Sequence, residues 1–183
     1  MEINLLPLDL ARWDQGAGGD LLVAPLFSDV RPLRGAAGLV DWRLNGHLSD
    51  RMREERFTGE RAERLLLPTG RLPWRGILAL GLGSTRDFDD DRFRAALDTA
   101  FAVIRGLGLP SMAAALPGRD IEKITPERAV ALFRENPQER DHVASLTLLD
   151  TPAALKIMGE LLGLTSASRA RAAATTKAAA ARR

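Results

Sequence analysis

The sequence predicts an α/β protein, a three-layer α/β/α sandwich built on a mixed, largely parallel sheet. Three observations carry that expectation. Apolar runs of strand length alternate with segments of helix length. The runs are continuous rather than alternating in polarity, which implies a sheet covered on both faces. Gly, Pro and Thr-Pro signals punctuate the chain between them.

The elements follow in order. "EINLLPL" reads as a short strand closed by Pro7. "LLVAPLF" (21–27) is a buried strand between "GAGGD" and "SDVRP". Val40, Leu44, Leu48 and Met52 recur every four residues and predict one helix from Gly38 to about Glu54. "ERLLLPT" (63–69) and "GILALGLG" (76–83) are strands joined through the turn "GRLPW". The segment Asp91–Leu107 is a helix with Leu97, Phe101, Ile104 and Leu107 on one face, stopped by Gly108 and Pro110. "SMAAALP" (111–117) and "HVASLTLLD" (142–150) are further strands. "TPERAVALF" and "TPAALKIMGELLGL" open as helices, each with a capping Thr before a Pro at the first helical position.

With 183 residues, 45% of them apolar and 27% charged, the chain suits one compact domain with an appendage. The domain is expected over 1–164 and a basic Ala/Arg-rich tail over 165–183. That tail holds Arg169, Arg171, Lys177, Arg182 and Arg183 and no acid. Removing those five cations from a net charge of +2 leaves the body at −3. No cysteine is present, so disulfides and thiolate metal sites are excluded. Glu2 in place of a basic segment argues against a signal peptide, and no apolar run reaches the roughly 18–20 residues that span a bilayer. A cytoplasmic protein without membrane contact is expected.

One stretch, "LALGLGSTRDFDDDRF" (78–93), combines Gly81 and Gly83 with a run of aspartates. A dinucleotide fingerprint needs a third glycine at position 86, where Arg86 stands. Asp87, Asp89, Asp90 and Asp91 crowd the following helix start, where they can cap amides themselves. The corner therefore reads as architecture. Gly81, Gly83, Ser84 and Arg86 remain the weak candidates for a ligand loop. No metal site is expected, because no Asp-rich loop carries the glycine of a calcium site. His47 and His142 lack any metal-ligand spacing, and no G-x-S-x-G elbow or P-loop lysine occurs. No catalytic residue and no cofactor is assigned. Trp13, Trp42 and Trp74 read as core or interface anchors.

The ordered strings "LLVAPLFSDVRPLRGAAGLVDWRLNGHLSD", "FTGERAERLLLP" and "RGILALGLGSTRDFDDDRFRAALDTAFAVIRGLGLPSMAAALPG" resemble the N-terminal domain of M17 leucyl aminopeptidases. The matching features are the strand with a trailing acidic loop, the step Phe57, Gly59, Glu63, and the "GLG" strand end before an acidic helix start. The resemblance implies a macro-domain-like fold. It also implies that the two-metal peptidase chemistry belongs to a separate C-terminal domain, whose motifs are not found before Arg183.

Three functional expectations follow. The first is a non-catalytic module acting in assembly or regulation through a protein partner or self-association. The second is a module recognising a nucleotide or ADP-ribose at loops such as "GLGST" (81–85), with "RGAAG" (34–38) in a comparable place. That second loop is expected to be a tight turn before a helix. The third is a nucleic-acid accessory protein using the cations of the tail.

Overall fold

A computed structural model describes residues 1–16, 18–135 and 142–164. The tail cations lie outside the described residues. A six-stranded sheet is built from β1 (Glu2–Pro7), β2 (Gly19–Leu26), β3 (Arg64–Leu67), β4 (Trp74–Gly81), β5 (Ser111–Ala115) and β6 (Ser145–Asp150). Their spatial order is β1-β6-β5-β2-β4-β3. Every neighbouring pair is parallel except β3 with β4 at one edge. The predicted three-layer sandwich is observed.

The helices divide between the two faces because the central strands present apolar side chains both ways. Leu21 and Val23 of β2 with Leu78 and Leu80 of β4 point to one layer, packed by α4 (Asp90–Gly106), α5 (Pro126–Glu135) and α6 (Pro152–Leu161). Leu22, Ala24 and Leu26 with Ile77 and Ala79 point to the other, packed by α1 (Leu10–Gln15), α2 (Gly35–Arg43) and α3 (His47–Arg53). Continuous apolar strands were the sequence signal for this two-sided cover.

Three local departures have physical causes. The helix expected over 38–54 is two helices, because Asn45 (φ 54°) and Gly46 (φ 82°) take left-handed backbone between them. Val40, Leu48 and Met52 still reach the core as their spacing requires. Helix α1 was hidden because it is short; Asp9 caps it by accepting from Ala11 N at 2.8 Å. Leu107, expected on the buried face of α4, is the C-cap residue and is exposed. The Thr-Pro openings behave as expected: Thr125 Oγ1 accepts from Arg128 N and Thr151 Oγ1 from Ala154 N, both at 3.3 Å.

Trp13 and Trp74 are core anchors, edge to face at 5.2 Å. Trp42 is 68% exposed, which sets it apart from both.

Candidate functional site

The connection leaving β2 runs to α2 on one face, whereas those leaving β4 and β5 run to α4 and α5 on the other. The chain therefore changes direction around β2. In an open α/β sheet, a crevice outside the carboxyl ends of the strands forms at such a switch. The connections at the carboxyl ends of the strands are residues 27–34, 82–89, 116–125 and the short step at Thr151.

Gly81, Gly83, Ser84 and Arg86 lie on the second of these loops, and their backbone donors are engaged within the chain. Gly81 N donates to Glu63 O at 2.8 Å, Leu82 N to Leu26 O at 2.9 Å, and Gly83 N to Gly59 O at 2.9 Å. Thr85 N and Thr85 Oγ1 donate to the Asp29 carboxylate at 3.0 and 2.8 Å, and Ser84 Oγ donates to it at 3.0 Å. Arg86 N donates to Ser84 Oγ at 3.2 Å, while the residue itself is exposed. An anion at this loop would meet a carboxylate in its place. Desolvation pushes the Asp29 carboxyl up, but the hydrogen bonds from Thr85 and Ser84 outweigh it and hold it below the usual carboxylate range.

Gly81 makes room for protein and Gly83 turns the backbone. A Cβ on Gly81 would drive into the Glu60 carbonyl oxygen and stand 2.6 Å from the Gly59 carbonyl carbon. Gly83 takes φ +77°, the left-handed region, beside Arg61. What Gly81 accommodates is the segment 57–63, the step Phe57, Gly59, Glu63 of the sequence. Phe57 is buried. One oxygen of Glu63 accepts from Thr58 N and Thr58 Oγ1 at 2.8 Å, Gly59 N at 2.9 Å and Glu60 N at 3.2 Å. Burial raises this carboxyl, yet the bonds from Thr58, Glu60 and Gly59 bring it below the ordinary glutamate range.

Across the crevice "RGAAG" is not a loop before a helix. Arg34 is the N-cap residue, and Gly35–Gly38 already form the first turn of α2. The cap makes no side-chain hydrogen bond. The first amides of a helix have no partner inside it, so this end carries the positive pole of the dipole without a side-chain cap, with Arg34 exposed before it and Ala36 and Ala37 buried behind it. Gly35 has φ +56°, and a Cβ there would come within 2.8 Å of the Asp120 Cβ. Asp120 thus lies directly against the start of α2. Its Oδ1 is buried without a hydrogen-bond partner among the described residues. Burial pushes the Asp120 carboxyl up to about 6, with the amides of Asp120 and Ile121 and the charges of Arg119 and Arg34 pulling the other way.

A buried ion pair fixes the loop that carries Asp120. Arg119 Nε donates to Asp150 Oδ2 at 2.8 Å and its second terminal nitrogen to Oδ1 at 3.3 Å. The remaining nitrogen donates to Ile124 O at 2.6 Å, which closes the loop upon itself. Both side chains are buried. Sequence reading missed Asp29, Asp120 and this pair. The only signal was position: each acid or base stands within five residues of a strand's carboxyl end.

Of the clustered aspartates, Asp89 caps α4 by accepting from Arg92 N at 2.9 Å. Asp90 pairs with Arg128, Asp91 with Arg94 and Asp87 with Arg92. The expectation that all four satisfy helix amides is corrected: three neutralise arginines. Among the described residues no group of three or more His, Asp or Glu side chains is arranged to hold a metal ion.

Residues 23–139 match the cytosol aminopeptidase family, N-terminal domain. The chain belongs to that family. The matched region is that family's N-terminal domain, as the resemblance implied. A probable cytosol aminopeptidase of Trichormus variabilis is 33% identical over 97 residues, covering 52% of this chain and 19% of that protein. Another, from Thermosynechococcus vestitus, is 28% identical over 136 residues and is covered to 26%. The chain therefore spans 16–26% of the length of such cytosol aminopeptidases. Tomato leucine aminopeptidase (a K354E mutant) superposes with a TM-score of 0.59 at 20% identity, over 86% of this chain and 34% of that one. The Oceanobacillus iheyensis macrodomain with ADP superposes with a TM-score of 0.60 at 16% identity, over 82% and 86%. At these identities the likeness is one of fold, and the fold of this family member is macrodomain-like.

Proposed function

We propose that the chain is a non-catalytic binding module that receives a nucleotide of the ADP or ADP-ribose class in the crevice at the carboxyl ends of β2 and β5. The observation that carries this reading is the uncapped start of α2, set at the switch point with Arg34 at its lip. Amides and a positive dipole end suit a pyrophosphate, and a guanidinium beside them adds charge-assisted hydrogen bonds. Further support comes from the macrodomain of like fold that has been solved with ADP. In this reading the ligand meets the start of α2 at Arg34 and Gly35 rather than Gly81, Gly83, Ser84 and Arg86, because Asp29 already occupies the donors of the latter loop. Titration calorimetry with ADP-ribose tests it. Binding weakened about tenfold by Arg34→Ala supports the reading; no heat at millimolar ADP-ribose removes it.

A second reading, assembly through a protein partner, has its own observation. Trp42 projects at the end of α2 over a surface formed by Pro32, Leu33, Leu44, Gly70 and Arg71. Exposed tryptophans are favoured anchors of interfaces. Its simplest form is a second copy of this chain. Sedimentation velocity then shows a concentration-dependent dimer that Trp42→Ala dissociates; a monomer at every concentration rejects that form.

A further inference from the structure

Strand β3 ends the sheet and leaves half of its own backbone unpaired. Gly81 N donates to Glu63 O at 2.8 Å, so residues 63 and 81 form a hydrogen-bonded pair of the antiparallel ladder. Bonded and non-bonded pairs alternate in such a ladder. Leu65 opposite Ala79 and Leu67 opposite Ile77 are therefore bonded, while Arg64 opposite Leu80 and Leu66 opposite Leu78 turn their N–H and C=O groups outward. Among the described residues nothing else takes those four groups, and both residues are exposed. The Leu66 side chain is 54% exposed, and the exposed Trp42 shares a surface with Gly70 and Arg71 just beyond the end of β3. The opposite edge differs. Glu2 N and Leu8 N donate to Ala144 O and Asp150 O, so on β1 it is Ile3, Leu5 and Pro7 that point outward. Pro7 has no N–H, and its carbonyl already accepts from Asp9 N and Trp13 Nε1.

We propose that two copies of the chain join through β3, edge to edge and antiparallel about a two-fold axis, into one continuous sheet. The inference rests on the second reading above, association with a second copy beside Trp42, and adds the pairing that builds the interface. The edge complements itself. With Leu65 on the axis, Arg64 of each copy faces Leu66 of the other, and all four outward groups of each edge are satisfied at once. The same count brings Glu60 of one edge to Gly70 and Arg71 of the other. Glu60 and Arg71 are both exposed, and among the described residues neither forms an ion pair. The two ends therefore match in charge, twice over. Paired residues share a face, so each Leu66 lies beside the aliphatic stem of the opposing Arg64 and is covered by it. An open edge also accepts a foreign strand; the matched charges at its two ends select a second copy.

The test is amide hydrogen exchange by NMR on the labelled chain from micromolar to millimolar concentration, with sedimentation velocity alongside. The expected result is a dimer in which the Arg64 and Leu66 amides exchange about tenfold more slowly as concentration rises. Leu65 and Leu67, already bonded to β4, should change little. Glu60→Arg and Arg71→Glu should each weaken the dimer about tenfold, and the double variant Glu60→Arg/Arg71→Glu should restore it. A dimer whose Arg64 and Leu66 amides keep one rate at every concentration overturns the edge pairing while leaving the Trp42 reading in place. A double variant no stronger than either single one overturns the two-fold register. A chain that stays monomeric throughout overturns both readings and leaves the edge to an extended segment of a different protein. The exchange rates of the unaltered chain decide the matter even where a variant folds poorly.

Discussion

Gly81 and the Glu60 carbonyl are in contact so close that no side chain fits between them. The strand end of β4 and the segment 57–63 are packed backbone to backbone. An added methyl must push apart two elements that also share the bonds Gly81 N to Glu63 O and Ala62 N to Gly81 O. Gly81→Ala is therefore expected to destabilise the fold by about 3 kcal/mol or more, at the top of the range for overpacking. Gly83→Ala meets only Arg61 at 3.5 Å and carries the cost of positive φ, about 1 kcal/mol. Urea midpoints of the two variants check this; equal midpoints would show that the close packing is relieved at no cost.

The Arg119–Asp150 pair gives a second prediction. Asp150→Ala leaves a buried guanidinium uncompensated and frees Thr151 N, which donates to Asp150 Oδ1 at 2.7 Å. The expected loss is about 3–5 kcal/mol. The double variant Arg119→Met/Asp150→Leu removes both charges and should lose less than Asp150→Ala alone. A double variant that is the less stable of the two contradicts this account of the pair.

Stability should depend on pH through Asp120 with an unusual sign. Its folded-state value, about 6, lies above the ordinary aspartate value of 3.8. The native state therefore binds the extra proton, and its contribution is lost as pH rises from about 4 to about 6. Asp29 and Glu63 act the other way: their depressed values give stability present above the ordinary carboxylate range and lost as pH falls below it. Asp120→Asn should leave denaturation unchanged near pH 4 and stabilise the protein at pH 7, by up to about 3 kcal/mol. Denaturant titrations at both pH values decide; a variant less stable than the parent at pH 7 would contradict the assignment.

The tail supplies a prediction from sequence. Five cations without an acid are expected to give weak, sequence-independent DNA binding that fades steeply with salt. Deleting 165–183 should abolish retardation of DNA at low salt, and equal retardation by the truncated chain would place the contact elsewhere.

The fold was legible because local patterns and global demand coincide. The unbroken apolar runs at 21–27 and 76–83, of strand length and bounded by turn residues, read as strands covered twice, and Leu97, Phe101 and Ile104 marked a one-sided helix. The break at Asn45–Gly46 was not legible, since Val40, Leu48 and Met52 keep their four-residue spacing across it. The crevice was legible in outline only. Glycines advertise tight backbone, but the sequence does not say whether ligand or protein fills the space. At Gly81 the filler is the Glu60 carbonyl, 21 residues upstream. Asp29, Asp120 and Asp150 carry no motif; each acquires its role from partners 56, 85 and 31 residues away.

The central claim is that a ligand enters at the start of α2 and not at the glycine loop of β4. Amide NMR of the labelled chain titrated with ADP-ribose tests it most directly. The account predicts shifts concentrated at Gly35, Ala36, Ala37, Asp120 and Ile121, with Gly81, Gly83, Ser84 and Arg86 nearly still. Shifts centred on residues 81–86, or none at saturating ADP-ribose, would contradict it.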